Sequence, residues 1–285
     1  MPVINTNLNS IVAQNSTNRS DRGLTGTMEK LSTGFRINKS GDDAAGMAVS
    51  TKMTAQVRGT YMAQRNISDG VALVQTADGA LSEISGIMQR MRELAVQGAT
   101  ETYSPDDLLL MDTEYQQLES EITRIVSQTK WNKMELLNGA GPSGSATDGA
   151  FVIQLGADNG QTMNVTIGNL EIDSTVAGAL LSDLDAQAVS SQASAAAAIT
   201  AIDNALTDLA TRRADLGAYM NRLAHSLNNA EIYTANMADS NSRIQDTDYA
   251  KQMTELSRVQ IVRQAGMAML SQANAIPSQV LQLLQ

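Results

Sequence analysis

The sequence predicts a mainly α-helical protein, a long antiparallel bundle of the coiled-coil type with a small β-hairpin region. Apolar residues recur at spacings of three and four along both halves of the chain, and alternate only in the middle. Aromatic residues make up 3% of the 285-residue chain, whereas 42% of its residues are hydrophobic. Aliphatic side chains must therefore form the apolar surfaces, which favours narrow helix seams over a thick core.

The first long helix is predicted by apolar residues spaced about 3.5 positions apart, the repeat of a coiled coil. Upstream, Asp42 and Asp43 are candidate caps for a helix that starts at Ala44, because carboxylates accept the free N–H groups of a first turn. The spaced residues are Ile67, Val71, Val74, Ala77, Leu81, Ile84, Met88, Met91 and Ala95.

A second helix is predicted after Ser104, a capping residue, with Pro105 at its first position and two acids in its first turn. It should end near Thr129 and pair antiparallel with the first helix through the short connection at 98–103. Its seam residues are Met111, Tyr115, Leu118, Ile122 and Ile125.

The middle of the chain predicts a β-hairpin, because from about 138 to 191 it is rich in Gly, Asn, Asp and Ser, and the period changes to two. Residues 158–160 form the expected turn. The hairpin should pack on the helices, since two strands alone are marginally stable. The alternating apolar residues are Phe151, Ile153, Leu155, Met163, Val165 and Ile167.

The third helical segment carries the longest seam, which runs from Ile199 to Ile244 without a break in the spacing. Three polar residues in this seam, Arg213, Thr234 and Asn241, are expected to fix its register. Asp246 or Asp248 can then cap a last helix through 253–269. The two ends of the chain, each apolar on one stripe, should order only against each other or against other copies.

Several function classes are excluded by composition. The net charge of −10, with no block of basic residues, argues against nucleic-acid binding. The chain has no cysteine and a single histidine, His225, which excludes thiolate catalysis and His-cluster metal sites. No apolar run is long enough for membrane insertion, and no signal peptide is recognisable. We predict no enzyme activity, no catalytic or metal-binding residue and no cofactor.

Motifs at both ends give the chain a specific resemblance. In these motifs it resembles the bacterial flagellins, the subunits of the flagellar filament. The N-terminal motifs lie at 31–38, 42–48, 89–97 and 128–132, and the C-terminal motifs at 242–250, 264–266 and 272–274 and at Pro277, Val280 and Leu281.

The resemblance implies two domains. An inner-tube domain would comprise residues 1–42 and 245–285, and a core-shell domain residues 43–244, with the hairpin at about 150–168. The variable segment 168–191 is too short for a separate outer domain. The chain looks like a minimal flagellin, without the large outer domains of many relatives.

The implied function is a structural subunit that leaves the cell unfolded by flagellar type III secretion and assembles into the extracellular filament for swimming motility. The alternative is a hook–filament junction protein, which is similar to flagellin at both ends. The implied partners are further copies of the chain in a helical homopolymer, a flagellar export chaperone, the filament cap, hook–filament junction proteins and a host Toll-like receptor.

Three sets of residues are predicted to serve these roles. The set for the subunit interface is Ile4, Leu8, Ile11, Leu24, Met28, Leu31, Leu256, Val259, Val262, Leu270, Val280, Leu281 and Leu284. The set for the helix seam within the chain is Ile84, Met88, Met91, Leu118, Ile122, Leu216, Leu223 and Leu227. By resemblance alone, the set for contact with the animal receptor is Gln89, Arg90, Leu94, Gln97 and Glu114.

Overall fold

The computed structural model describes residues 6–139, 149–172, 179–185 and 187–282, with side chains described as far as Ile276. Most of these residues lie in long helices, and a few form a small β-hairpin, which confirms the predicted mainly α-helical class. The helices are α1 (Leu8–Thr33), α2 (Ala44–Gly98), α3 (Pro105–Gln128), α4 (Gln192–Gln245) and α5 (Tyr249–Gln282), with a 3-10 turn at Ser182–Leu184. The strands are β1 (Lys130–Trp131), β2 (Met134–Glu135), β3 (Ala150–Gln154) and β4 (Thr162–Thr166).

The chain forms two compact units. The terminal unit comprises Met1–Ala55 and Asn236–Gln285, and the central unit comprises Gln56–Ala235. The boundaries between the two units therefore lie further from the chain ends than the domain boundaries at 42 and 245 that the resemblance implied. Helices α2 and α4 each contribute residues to both units.

The start of α3 follows the local signals in the sequence. The backbone N–H of Asp107 donates to the Ser104 hydroxyl oxygen over 3.3 Å, and the Ser104 N–H donates to the Asp107 carboxylate over 3.2 Å. This reciprocal capping box satisfies two N–H groups that have no partner within the helix. With Pro105 as its first residue and Gln128 as its last, α3 confirms the predicted helix.

The two acids before α2 have different roles. The N–H of Gly46 donates to the Asp43 carboxylate over 2.8 Å, so Asp43 caps the first turn. The Asp42 carboxylate instead accepts the N–H groups of Asn38 and Lys39, each over 3.1 Å, and these bonds lower its pKa. The prediction that Asp42 caps the helix is therefore wrong, because its carboxylate is used to close the preceding turn.

The hairpin has the predicted alternation. Phe151 pairs with Val165 and Ile153 with Met163, and these four side chains are buried, whereas Val152 between them is exposed. The Ile153 side chain packs on Gly70 of α2. A methyl group at Gly59 of α2 would lie 2.8 Å from the Ala157 Cβ, so the hairpin lies directly against this helix.

Three polar pairs join α4 to α2 in the central unit and mark the register of the two helices. Arg92 lies 2.6 Å from Asp203, Asp78 lies 2.8 Å from Arg213, and the Gln64 amide donates to the Thr234 hydroxyl over 3.2 Å. The partner numbers fall along α4 as they rise along α2, so the two helices are antiparallel.

A small hairpin after α3 was not predicted. Strands β1 and β2 pair through Lys130 with Glu135 and Trp131 with Met134. The two residues between them, Asn132 and Lys133, have positive φ angles of 49° and 67°. Such a two-residue turn matches the twist of a hairpin, and asparagine is favoured in it. The strands are too short for an alternation to be visible in the sequence.

Candidate functional site

The surfaces of the long helices are the candidate site in this structure. Across the described ranges, no group of three or more His, Asp or Glu side chains is placed to hold a metal ion. None of the helices in those ranges is long and apolar enough to cross a membrane.

Helices α1 and α5 of the terminal unit pack against each other. The Asn7 amide donates to the Ala273 carbonyl oxygen over 2.8 Å, and Asp21 lies 2.8 Å from Arg263. The Val259 side chain lies against Gly23, and Val259 is only 6% exposed. The pairing is antiparallel, since the partner numbers fall along α5 as they rise along α1. It buries a narrow line of side chains on each helix.

The residues predicted for a subunit interface fall into several groups. Ile4 and Leu284 lie outside the described residues, as do the side chains of Val280 and Leu281. Val259, also predicted for this set, is buried against α1 of its own chain. Half-buried residues are Leu24, Leu31, Leu256 and Leu270, and exposed residues are Leu8, Ile11, Met28 and Val262.

More of the surface of α5 is apolar than was predicted. Val262, Met269 and Ile276 are all exposed, and their spacing of seven places them in one line, which we call the outer stripe. A second line of exposed residues, which we call the second stripe, consists of Tyr249, Met253 and Met267. Their spacings of four and fourteen residues place them on one side of the helix.

The two stripes flank the buried contact with α1. At 3.6 residues per turn, measured from the buried Val259, the outer stripe lies about 60–100° to one side and the second stripe about 80–120° to the other. The sequence predicts a single apolar stripe on this helix. It does not predict the two flanks, because the apolar residues of α5 are spread around most of its circumference.

The seam residues within the chain share one hydrophobic cluster of the central unit. Leu118 and Leu227 are half-buried and pack against this cluster. The others have no exposed surface: Ile84, Met88, Met91, Ile122, Leu216 and Leu223.

The residues named for contact with an animal receptor form a polar patch between α2 and α3, with one exception. Arg90 lies 2.8 Å from Glu114 and 3.1 Å from Glu93, and these bonds raise the pKa of Arg90. Gln89 and Gln97 are exposed, and the Gln97 amide donates to the Tyr103 hydroxyl over 2.9 Å.

Leu94, the exception in this receptor set, lies in the core of the central unit. It is 2% exposed and belongs to the hydrophobic cluster. It lies three residues after the seam residue Met91, so the same face of α2 turns it towards the core.

An acidic cleft on α3 has unusual electrostatics. Glu119 lines a cavity of about 360 Å³ together with Glu171 and Asp185. Partial burial, followed by the negative charges of Asp185 and Asp112, raises the pKa of Glu119 to about 7. Near neutral pH, this side chain therefore exchanges between its neutral and charged forms.

We expect Glu119→Gln to remove a pH dependence of stability. Because the pKa of Glu119 rises from 4.5 unfolded to about 7 folded, the free energy of unfolding should fall as pH rises between these values. With solvent screening of this half-exposed group taken into account, the fall is about 1–2 kcal/mol. Urea denaturation at several pH values measures it.

Glu121→Gln is the matched control, because Glu121 is an exposed acid on the same helix whose pKa is lowered by Arg124. This variant should keep the fall in stability between pH 4.5 and 7. If the Glu119→Gln profile has the same slope as that of the unmodified chain, the cleft is not the source of the pH dependence.

The fold and its surfaces define a structural protein of long paired helices, with apolar flanks on the terminal pair. Residues 4–141 match the family described as the bacterial flagellin N-terminal helical region, and residues 199–284 match the bacterial flagellin C-terminal helical region. The chain belongs to the bacterial flagellin family. Membership places it among the structural proteins of the flagellar filament.

Individual relatives are similar over nearly their whole length. The chain is 43% identical to a flagellin of Halalkalibacterium halodurans over 258 residues, or 90% of each protein. It is 38% identical to the flagellar filament 30.7 kDa core protein of Treponema maltophilum over 283 residues, or 99% of each protein. A putative flagellar hook-associated protein of Vibrio parahaemolyticus shares the fold, with a TM-score of 0.57 and 15% identity, over 72% of this chain and all of that one.

Proposed function

We propose that the chain leaves the cell unfolded and assembles with further copies of itself into an extracellular flagellar filament that serves swimming. In this proposal residues 1–42 and 245–285 form the inner-tube domain, and residues 43–244 form the core-shell domain. The family match at both ends of the chain supports the proposal, as does the similarity to a filament core protein over almost its full length.

The apolar surface of α5 is the observation that carries the proposal. A helix with apolar residues on several sides is typical of a helix that is covered on several sides. Helix α1 covers only one line of α5, while the outer and second stripes stay exposed. Lines of exposed apolar residues on one helix are candidates for an interaction site. Copies of the same chain can cover both stripes. Where such contacts between copies do not close into a ring, they generate an open helical filament.

Two features of composition support unfolded export. The chain has no cysteine, so no disulfide has to be reduced before passage, and it has few bulky aromatic residues. An export chaperone, the filament cap and hook–filament junction proteins are the partners this route requires. Recognition by a host Toll-like receptor stays a prediction, for which the patch around Arg90 and Glu114 is the candidate surface.

Seeded growth tests the proposal. Short filament fragments of this protein are mixed with purified monomer and followed by electron microscopy. We expect the fragments to lengthen continuously into tubes, at a rate that rises with monomer concentration. A junction protein would add only a short layer to the fragment ends and then stop, and that result would reject the filament subunit in favour of the alternative.

A further inference from the structure

The methionines in the described part of the chain range from fully buried to more than half exposed. Met88 and Met91 of α2 have no exposed surface, and Met163 of β4 is 5% exposed. Four methionines of the terminal helix pair are instead more than half exposed, and Met269 reaches 65%. These four are Met28, Met253, Met267 and Met269, which we call the exposed methionines.

We propose that the exposed methionines are sites of oxidation to methionine sulfoxide by peroxide, and that this modification blocks assembly of the chain. The inference rests on the proposed function, because its consequence is a loss of filament growth. Each of these residues is exposed in the monomer, and each lies on a helix that we propose to be covered in the filament.

The chemistry needs only a peroxide and an accessible sulfur. A lone pair on the methionine Sδ attacks one oxygen of hydrogen peroxide, the O–O bond breaks, and a sulfur–oxygen bond forms. The other oxygen leaves as water and takes both protons of the peroxide with it. The sulfur loses two electrons and the peroxide gains two. Helix packing withholds the sulfurs of Met88 and Met91 from this reaction, since oxidation follows exposure.

The position of the exposed methionines explains why oxidation would matter. Met269 is the central residue of the outer stripe, and Met253 and Met267 belong to the second stripe. Oxidation turns a flexible apolar side chain into a polar one with a strong acceptor oxygen. A buried acceptor without a donor disfavours the interface, and we expect the critical concentration for growth to rise at least ~10-fold per buried sulfoxide.

The experiment treats the monomer with hydrogen peroxide, locates the added oxygen by peptide mass spectrometry and then measures seeded growth. The exposed methionines should react at least ~10-fold faster than Met88, Met91 and Met163. Seeded growth should fall in step with their oxidation. Treatment with both stereospecific methionine sulfoxide reductases should restore growth. Equal reaction at all methionines, or normal growth of the oxidised monomer, would overturn the inference.

Two variants make the test specific. Replacement of all four exposed methionines by leucine keeps the apolar surface and removes the reactive sulfur, so growth should survive peroxide. Met62→Leu removes a comparably exposed methionine of the central unit and should give no protection. If Met62→Leu protects growth and the fourfold leucine variant does not, the inhibition arises outside the terminal helices and the inference is wrong.

Failure of the inference and failure of the proposed function give different results. If untreated monomer does not extend the fragments at all, the proposed function fails. If untreated monomer extends them and fully oxidised monomer does so equally well, the proposed function stands and the oxidation inference fails. Helix content by circular dichroism shows whether the leucine variant and the oxidised protein keep their fold.

Discussion

Leu223→Asp is expected to lower the free energy of unfolding by about 3–5 kcal/mol. Leu223 has no exposed surface and lies in the cluster that joins the central helices to the hairpin. The substitution removes a buried leucine and leaves a carboxylate in an apolar site. Urea denaturation followed by circular dichroism measures the change, and the variant monomer should also fail to extend filament fragments.

Asn221→Asp is the control for Leu223→Asp. It adds the same negative charge to the same helix two residues earlier, where the side chain is exposed. We expect its stability to stay within about 0.5 kcal/mol of the unmodified chain, as is usual for surface substitutions. Equal denaturation midpoints for the two variants would mean that Leu223 is not part of the core.

Val262→Glu is expected to stop seeded growth while the monomer keeps its fold. Val262 is the first residue of the outer stripe and is exposed in the monomer, so a glutamate there can stay hydrated. In the filament the same carboxylate would be covered by a neighbouring copy without a partner of opposite charge. The critical concentration for growth should rise at least ~100-fold, the factor that corresponds to a few kcal/mol per subunit.

Ser257→Glu separates the loss of the apolar stripe from the effect of added charge. Ser257 is an exposed polar residue of the same helix, five positions before Val262 and outside both stripes. Electron microscopy of growing fragments compares the variants at equal monomer concentration. Growth of Ser257→Glu together with arrest of Val262→Glu supports the outer stripe as an interface, whereas equal growth of both would show that it stays exposed in the filament.

Local signals in the sequence account for much of the fold. Helix α3 begins at Pro105 because Ser104 and Asp107 satisfy its first N–H groups, and both residues are neighbours in the sequence. The spacing of two between Phe151, Ile153 and Leu155 likewise predicts strand β3, since a period of two is visible within five residues. Strands β1 and β2 have two residues each, too few for any period.

The tertiary contacts of the polar seam residues could not be predicted from the sequence. Arg213, Thr234 and Asn241 could be named as polar residues of a seam, but their partners on α2 follow only from the folded register. The same limit applies to the surfaces. The sequence marks Val259 and Val262 equally as apolar, and the structure shows that one contacts α1 whereas the other is exposed.

The polar pairs between α2 and α4 have a mechanical consequence. Each is partly exposed and would by itself add roughly 0–1 kcal/mol to stability. A sliding movement of one helix along the other, however, would separate Arg92 from Asp203, Asp78 from Arg213 and Gln64 from Thr234 at the same time. Under axial load α2 and α4 should therefore bend together and resist sliding past each other.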